Sequence, residues 1–421
     1  MKKELLSYMD KHREELFAIL SGLIQINTEN DGTHGNERPI AEHLQRQLRL
    51  YGVESELYCP DDVPGIRQHP DYLPGRNLAG RTNITGRRPG SVGKHALMLA
   101  GHMDTVPVGD PGLWTVPPCG GILRDGKIFG RGSCDDKSAL AVCLFLAKAF
   151  QELGIVLKND LYLTGYVDEE FGGGNGALAC CLKYPFDFCL NLDTENFRIG
   201  SAGAGGQRIA LTLAHPEPLD SCERMLEGLY RCWQAMKAFG ERRQNELSRN
   251  RYYSGSDVPG RGLRLMAISS GTKTSDKNKG VLDFAFYTDR SKEQIEKELA
   301  EMYADMEAAL SPLGLVIEKI EPRSRFFRYV STAPDNANIE ILKKAAEKSV
   351  GRQLNCFGEE LSDLSLFLSC APDRAVNFGA GRDFGVYGGA HQPDEFISCD
   401  DLLQMAKIVG QFVLDWDERN V

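Results

Sequence analysis

The sequence predicts an α/β fold, a doubly wound and largely parallel sheet with an inserted βαββαβ, ferredoxin-like lid domain. Three observations predict it. Apolar strands alternate with helix-spaced segments up to about Asp193, βαββαβ order follows the glycine-rich "GSAGAGG", and βα alternation resumes beyond about Arg323. Residues 1–200 and 323–421 therefore form one discontinuous domain, and residues 201–322 form a second, inserted one. Two linkers cross between them and can act as hinges.

Each element has its own warrant. The start, "MKKELLSYMDKHREELFAIL", reads as one amphipathic helix, because Asp10, Arg13, Glu14 and Glu15 interrupt it before a secretory apolar core could form. The strand "HALMLAG" precedes a helix from about Lys137 to Leu153, where apolar residues recur at helical spacing in "SALAVCLFLAKAFQEL". The strand "DLYLTGYV", the short helix "GALACCLKY" and the strand "FDFCLNLD" complete the first alternating run. The inserted domain reads as the strand "RIALTLA", the helix "SCERMLEGLYRCWQAMKAF", the strands "LRLMAISS" and "GVLDFAFYTD", the helix "SKEQIEKELAEMYADMEAAL" and the strand "LVIEKIEP". The helix "NANIEILKKAAEKSV", the strand "RAVNFG" and the helix "DDLLQMAKIVGQFVLDW" close the chain.

Composition narrows the functional classes. With 421 residues, 42% hydrophobic and 26% charged, the chain suits a globular protein of more than one core. A formal net charge of −10 disfavours nucleic acid and anionic membrane as partners and favours a small or neutral substrate. Twelve cysteines, scattered through apolar runs, read as buried thiols of a reducing compartment. With no apolar run of transmembrane length, the expected location is cytoplasmic.

Charged residues gather where strands end. In "LAGHMDTVPVGD", His102 and Asp104 stand two apart, on one face of an extended strand, so the carboxylate can meet the imidazole. That pair fits a metal ligand, a general base or a solvated strand end. Asp135 and Asp136 follow "GRGSC", Asp168, Glu169 and Glu170 follow "LTGYV", Asp193 ends "CLNL", and His391 lies in "GGAHQPDEF". A doubly wound sheet binds its ligands at the carboxyl ends of its strands. Two imidazoles with several carboxylates and no clustered thiolates suit Zn²⁺ or a similar divalent ion, with Asp135 as the natural bridge between two ions. Adjacent side chains on extended backbone diverge, so one of Glu169 and Glu170 can bind metal while the other faces the activated water.

Together "GHMDTVP", "IFGRGSCDDKSALA", "VDEEFGGGNG", "NLDTE" and "NFGAGRDFGVYGGAHQPDEF" resemble the co-catalytic zinc peptidase and deacylase family. That family includes acetylornithine deacetylase, succinyl-diaminopimelate desuccinylase, aminoacylase-1, glutamate carboxypeptidases and related dipeptidases. The motifs run from Leu99 to Phe396 in the family's order. The resemblance implies two Zn²⁺ per chain, for which Mn²⁺ or Co²⁺ can substitute. One ion would be held by His102, Asp193 and the shared Asp135, and the other by Glu170, His391 and the same Asp135. Asp104 would orient His102, Glu169 would be the general base, and the Asp135–Asp136 peptide would be cis. Glu195 is the rival to Asp193. The implied activity is hydrolysis of a peptide or N-acyl amide bond in a small amino-acid derivative, dipeptidase- or exopeptidase-like, with lid closure excluding water. The alternatives are an N-acyl-amino-acid deacylase and a catalytically inactive binding relative. A homodimer through the lid is expected.

Departures from the family pattern also carry expectations. His215 comes too early for the family's lid histidine and reads as a solvated strand-end residue. Glu359 and Glu360 in "FGEELSDLSLF" read as surface charge, with contact to a substrate amino group as the sharper alternative. Arg290 can bind a substrate carboxylate or pair with Asp289, and Cys134 reads as packing beside Asp135.

Overall fold

The computed structural model describes residues 1–219, 221–254, 262–271, 278–381 and 389–419. They form two compact units, Met1–Ser201 with Ser331–Phe357 and Leu366–Val421, and Ala202–Val330 with Gly358–Ser365. The smaller unit thus extends past residue 322 and takes back a short later segment, which local patterning does not announce.

The larger unit is built on a nine-stranded mixed sheet. Its centre is parallel: the strands Asp160–Tyr166, Ala96–His102, Phe188–Asn191 and Ala375–Phe378 lie side by side in that order. Antiparallel strands flank it, with Glu54–Tyr58 and Asn83–Arg88 on one side and Ile199–Gly203 on the other. These flanking strands are short and their alternation is weak, so the sequence pattern passes over them. The central strands are apolar on both faces because helices cover both. The helix Lys137–Glu152 is the extreme case: Lys137 to Ala147, Ala149 and Phe150 are all buried, the signature of a helix enclosed on every side.

The N-terminal segment expected as one helix is two, Lys2–Lys11 and Arg13–Ile24. His12 breaks the run with φ −108 and ψ 18, its ring stacked 4.1 Å from Tyr8 and its Nδ1 2.7 Å from Glu15. The break lets both pieces turn Leu5, Met9, Leu16 and Leu20 into the same core.

The smaller unit carries an antiparallel sheet in the order Leu263–Ser270, Lys279–Thr288, Gly205–Ala214, Val316–Pro322. Two helices, Glu223–Leu247 and Lys292–Leu310, bring Met225, Phe239, Ile295 and Met306 into one core with Leu211 and Phe284 of the sheet. Ser291 and Gln294 close a capping box at the start of the second helix. The first helix runs beyond Phe239 to Leu247. Arg243, 2% exposed, explains the extension, because its guanidinium is 2.6 Å from Glu246 and 2.7 Å from Glu298.

Candidate metal centre

His102 closes the strand Ala96–His102 and is completely buried. Gly101 makes this possible, since a Cβ there would stand 2.6 Å from that of Ala139 and 2.7 Å from Asp136 Oδ2. The start of the helix Lys137–Glu152 therefore seats directly on the strand end, and Asp135 and Asp136 arrive beside His102. The Asp135–Asp136 peptide is cis.

The centre is organised by Asp135. Its Oδ1 lies 2.8 Å from His102 Nε2, and its Oδ2 lies 3.0 Å from His391 Nε2. Glu170 Oε2 is 2.8 Å from the same His391 nitrogen, while Glu170 Oε1 accepts from the Val106 N–H at 3.1 Å. The donor atoms of His102, Asp135 and Glu170 lie within 4.8 Å of one another, as do those of His102, Asp136 and Asp193. Of the residues singled out from sequence, His102, Asp135, Glu170, Asp193 and His391 thus lie close together. Asp136, which patterning left without a role, lies with them.

The electrostatics are those of a cation site. Burial opposes ionisation of Asp135, yet hydrogen bonds from His102 and His391 hold it well below the usual carboxylate range. Burial likewise opposes protonation of His391, but Glu170 and Asp135 raise it to about 12. Burial pushes Asp193 up to about 7 despite the nearby His102. Carboxylates that draw protons this strongly onto imidazoles create a field equally suited to divalent cations. The N and O donor set fits Zn²⁺ and its neighbours in the first transition row.

Asp104 does a different task from the one expected. The His102 Nδ1 partner is the main-chain carbonyl of Asp104 at 2.9 Å, whereas the Asp104 carboxylate is 3.7 Å away. That carboxylate accepts from the Glu169 and Glu170 N–H groups, both at 3.2 Å, and from Asn30 Nδ2 at 2.9 Å. The reason is backbone shape: Glu169 and Glu170 start a turn instead of extending the strand, so their N–H groups converge on one acceptor.

Beneath this turn lies a buried ionic network. Asp168 has a left-handed φ of 69 and is fully buried, with Arg81 Nη1 3.0 Å and Arg76 Nε 3.1 Å from its carboxylate. Arg81 also donates to both oxygens of Glu37 at 2.9 Å. Glu37, Arg76 and Arg81 come from segments distant from Asp168, and no local motif marks them.

Contacts also define the surroundings of the other residues singled out. Glu195 pairs with Arg198 at 3.0 Å. Arg290 joins Glu246 and, at 2.7 Å, Glu298 instead of Asp289. Glu359 is buried, not surface charge, and accepts from Ser362 Oγ at 3.2 Å, while Glu360 accepts from Tyr287 at 3.0 Å. His215 Nδ1 lies 2.8 Å from the Glu217 carbonyl, at the exposed end of its strand. Part of the last glycine-rich motif, residues 382–388, lies outside the described residues. All twelve cysteines are free thiols, and among the described residues no helix is long and apolar enough to cross a membrane.

A mostly parallel α/β sheet with His102 at a strand end, and with carboxylates and a second imidazole gathered beside it, defines an α/β protein with a candidate metal site. Residues 98–415 match the model of peptidase family M20/M25/M40, and the chain belongs to that family. The N-formyl-4-amino-5-aminomethyl-2-methylpyrimidine deformylase of Bacillus subtilis is 24% identical over 98% of this chain and 96% of its own. Among solved structures, the di-peptidase Dug1p of Saccharomyces cerevisiae superposes with a TM-score of 0.76 at 17% identity, covering 100% of this chain and 99% of that one. Bacillus subtilis YXEP, named as a dinuclear metal binding peptidase of the same family, gives 0.61 at 14% identity, covering 97% and 99%. The chain is a hydrolase of C–N amide bonds in small molecules.

Proposed function

We propose that the protein hydrolyses a peptide or N-acyl amide bond of a small amino-acid derivative at a two-ion centre. One observation carries this reading: the two oxygens of a single carboxylate, Asp135, face two different imidazoles, His102 and His391. A bridging ligand needs that disposition. His102, Asp193 and Asp135 would hold one ion, and Glu170, His391 and Asp135 the other, with Zn²⁺ the expected metal. When bound, the ions polarise the scissile carbonyl and lower the pKa of water from 15.7 towards about 7. Glu169 removes a proton from the attacking water. The water oxygen bonds to the carbonyl carbon, the C–N bond breaks, and Glu169 returns the proton to the departing nitrogen. Asp104 holds the Glu169 and Glu170 backbone in the geometry this requires.

The test is Glu169→Ala. It is expected to keep both metal equivalents while losing turnover by about 10²- to 10⁴-fold. Loss of metal together with activity would make Glu169 a ligand and overturn the assignment. A deacylase reading is favoured by one observation of its own, full-length similarity to a deformylase. A screen of dipeptides against N-formyl and N-acetyl amines separates the two. The strands Leu263–Ser270 and Val316–Pro322, at the edges of the smaller sheet, expose Ile268 and Val316 and support a homodimer through this unit. Sedimentation checks it.

A further inference from the structure

The two loops carrying Asp135 and His391 are far apart in sequence, and a buried ion pair joins them. Glu395 is completely buried, and its Oε1 accepts from the N–H of Cys134 at 3.1 Å and of Asp135 at 3.3 Å. Its Oε2 accepts from Arg131 Nη1 at 2.7 Å. Arg131 is 3% exposed, and its guanidinium lies 5.2 Å from the Trp114 ring centroid. From there Nη2 reaches the main-chain carbonyls of His391 and Pro107, each at 3.4 Å. Main chain adds a further tie, since Gly130 N–H donates to the Glu395 carbonyl at 2.8 Å. His391 itself has a left-handed φ of 67, a conformation that needs outside support in a residue with a Cβ.

We propose that Glu395 and Arg131 are positioning residues that set the separation of Asp135 from His391, and so tune the affinity of the ion those two residues share with Glu170. The inference rests on the two-ion reading above and concerns only how this chain builds it. Neither residue is among the proposed ligands. Glu395 acts through the peptide N–H of Asp135, and Arg131 acts through the carbonyl of His391. Both hydrogen bonds hold backbone, so a change in either shifts a ligand without removing it. Outer partners that orient metal ligands typically account for about 10- to 100-fold in metal affinity.

Co²⁺ titrated into metal-free protein, read by calorimetry and by its visible absorption, tests this. Glu395→Gln keeps the shape and the acceptor for the Asp135 N–H but removes the charge facing Arg131. Arg131→Lys keeps the charge but loses the fork that reaches His391. Arg131→Lys, acting through His391, is expected to weaken one of two Co²⁺ equivalents by about 10- to 100-fold and to shift its absorption, while Glu395→Gln, acting through the shared Asp135, is expected to weaken both equivalents and shift both absorptions. Asp417→Asn is the control. That carboxylate also holds backbone N–H groups, of Lys158 at 3.0 Å and Asn159 at 2.8 Å, but contacts none of the proposed ligands. It should lower stability and leave both Co²⁺ affinities unchanged. If Glu395→Gln does not fold, Arg131→Lys decides. Two equivalents at wild-type affinity and with wild-type absorption in a folded variant would overturn the positioning role. Failure of the wild-type protein to take up two equivalents would instead overturn the two-ion reading itself.

Discussion

At the scale of single residues, the main lesson is that Asp104 works on main chain. Asp104→Ala would leave the N–H groups of Glu169 and Glu170 without their side-chain acceptor in a buried site and remove the shorter of the two hydrogen bonds of the Asn30 amide. The expected result is a loss of about 1–3 kcal/mol in stability and of about 10- to 100-fold in turnover, measured by urea unfolding and steady-state kinetics on the same preparation. An unchanged turnover would mean that the Glu169–Glu170 turn holds itself. The spacing of His102 and Asp104 was legible from strand geometry, but the partner atom was not. Periodicity places side chains on a face. It does not reveal that the Asp104 carbonyl reaches the ring first, at 2.9 Å, and frees the carboxylate for other donors.

At the scale of elements, the strands and helices that carry the ligands were legible because their apolar runs are strong. The helix Lys137–Glu152 and the strand Asp160–Tyr166 fall within a residue or so of the ends that hydrophobic patterning sets. The segments that support them were not legible. Glu37, Arg76 and Arg81 lie in polar stretches, where charged residues are ordinarily solvated and one sequence offers no cue to burial. The N-terminal break at His12 is hidden for a related reason, because helical periodicity continues through it. The buried network makes a firm prediction. Arg81→Ala leaves Glu37 and Asp168 without their shared guanidinium, and breaking a buried pair in this way costs about 3–5 kcal/mol. Burial already pushes Glu37 up to about 7, against the pull of Arg81. Denaturant midpoints compared at constant slope check the size of the loss, and a change below about 1 kcal/mol would show that water replaces the arginine.

At the scale of the whole molecule, the chain is organised around a site that should be linked to its stability. Ions that bind the folded centre and not the unfolded chain stabilise by mass action, about 2.7 kcal/mol at a concentration one hundred times the dissociation constant. Stripping the protein with a chelator should therefore lower its melting temperature and abolish turnover, and adding back Zn²⁺, Mn²⁺ or Co²⁺ should restore both. The order of the motifs, from His102 to His391, made the class of chemistry readable before any geometry. Which amide is cleaved was not readable, since "GHMDTVP" and "VDEEFGGG" describe the reacting end and leave the rest of the substrate unspecified.

The most direct test of the central claim is the metal content of protein purified without chelator, measured by elemental analysis beside an amide-cleavage screen on dipeptides, N-formyl amines and N-acetyl amino acids. The account predicts about two ions per chain and hydrolysis of at least one class in the screen. No bound metal, with no turnover after Zn²⁺, Mn²⁺ or Co²⁺ is supplied, would contradict it.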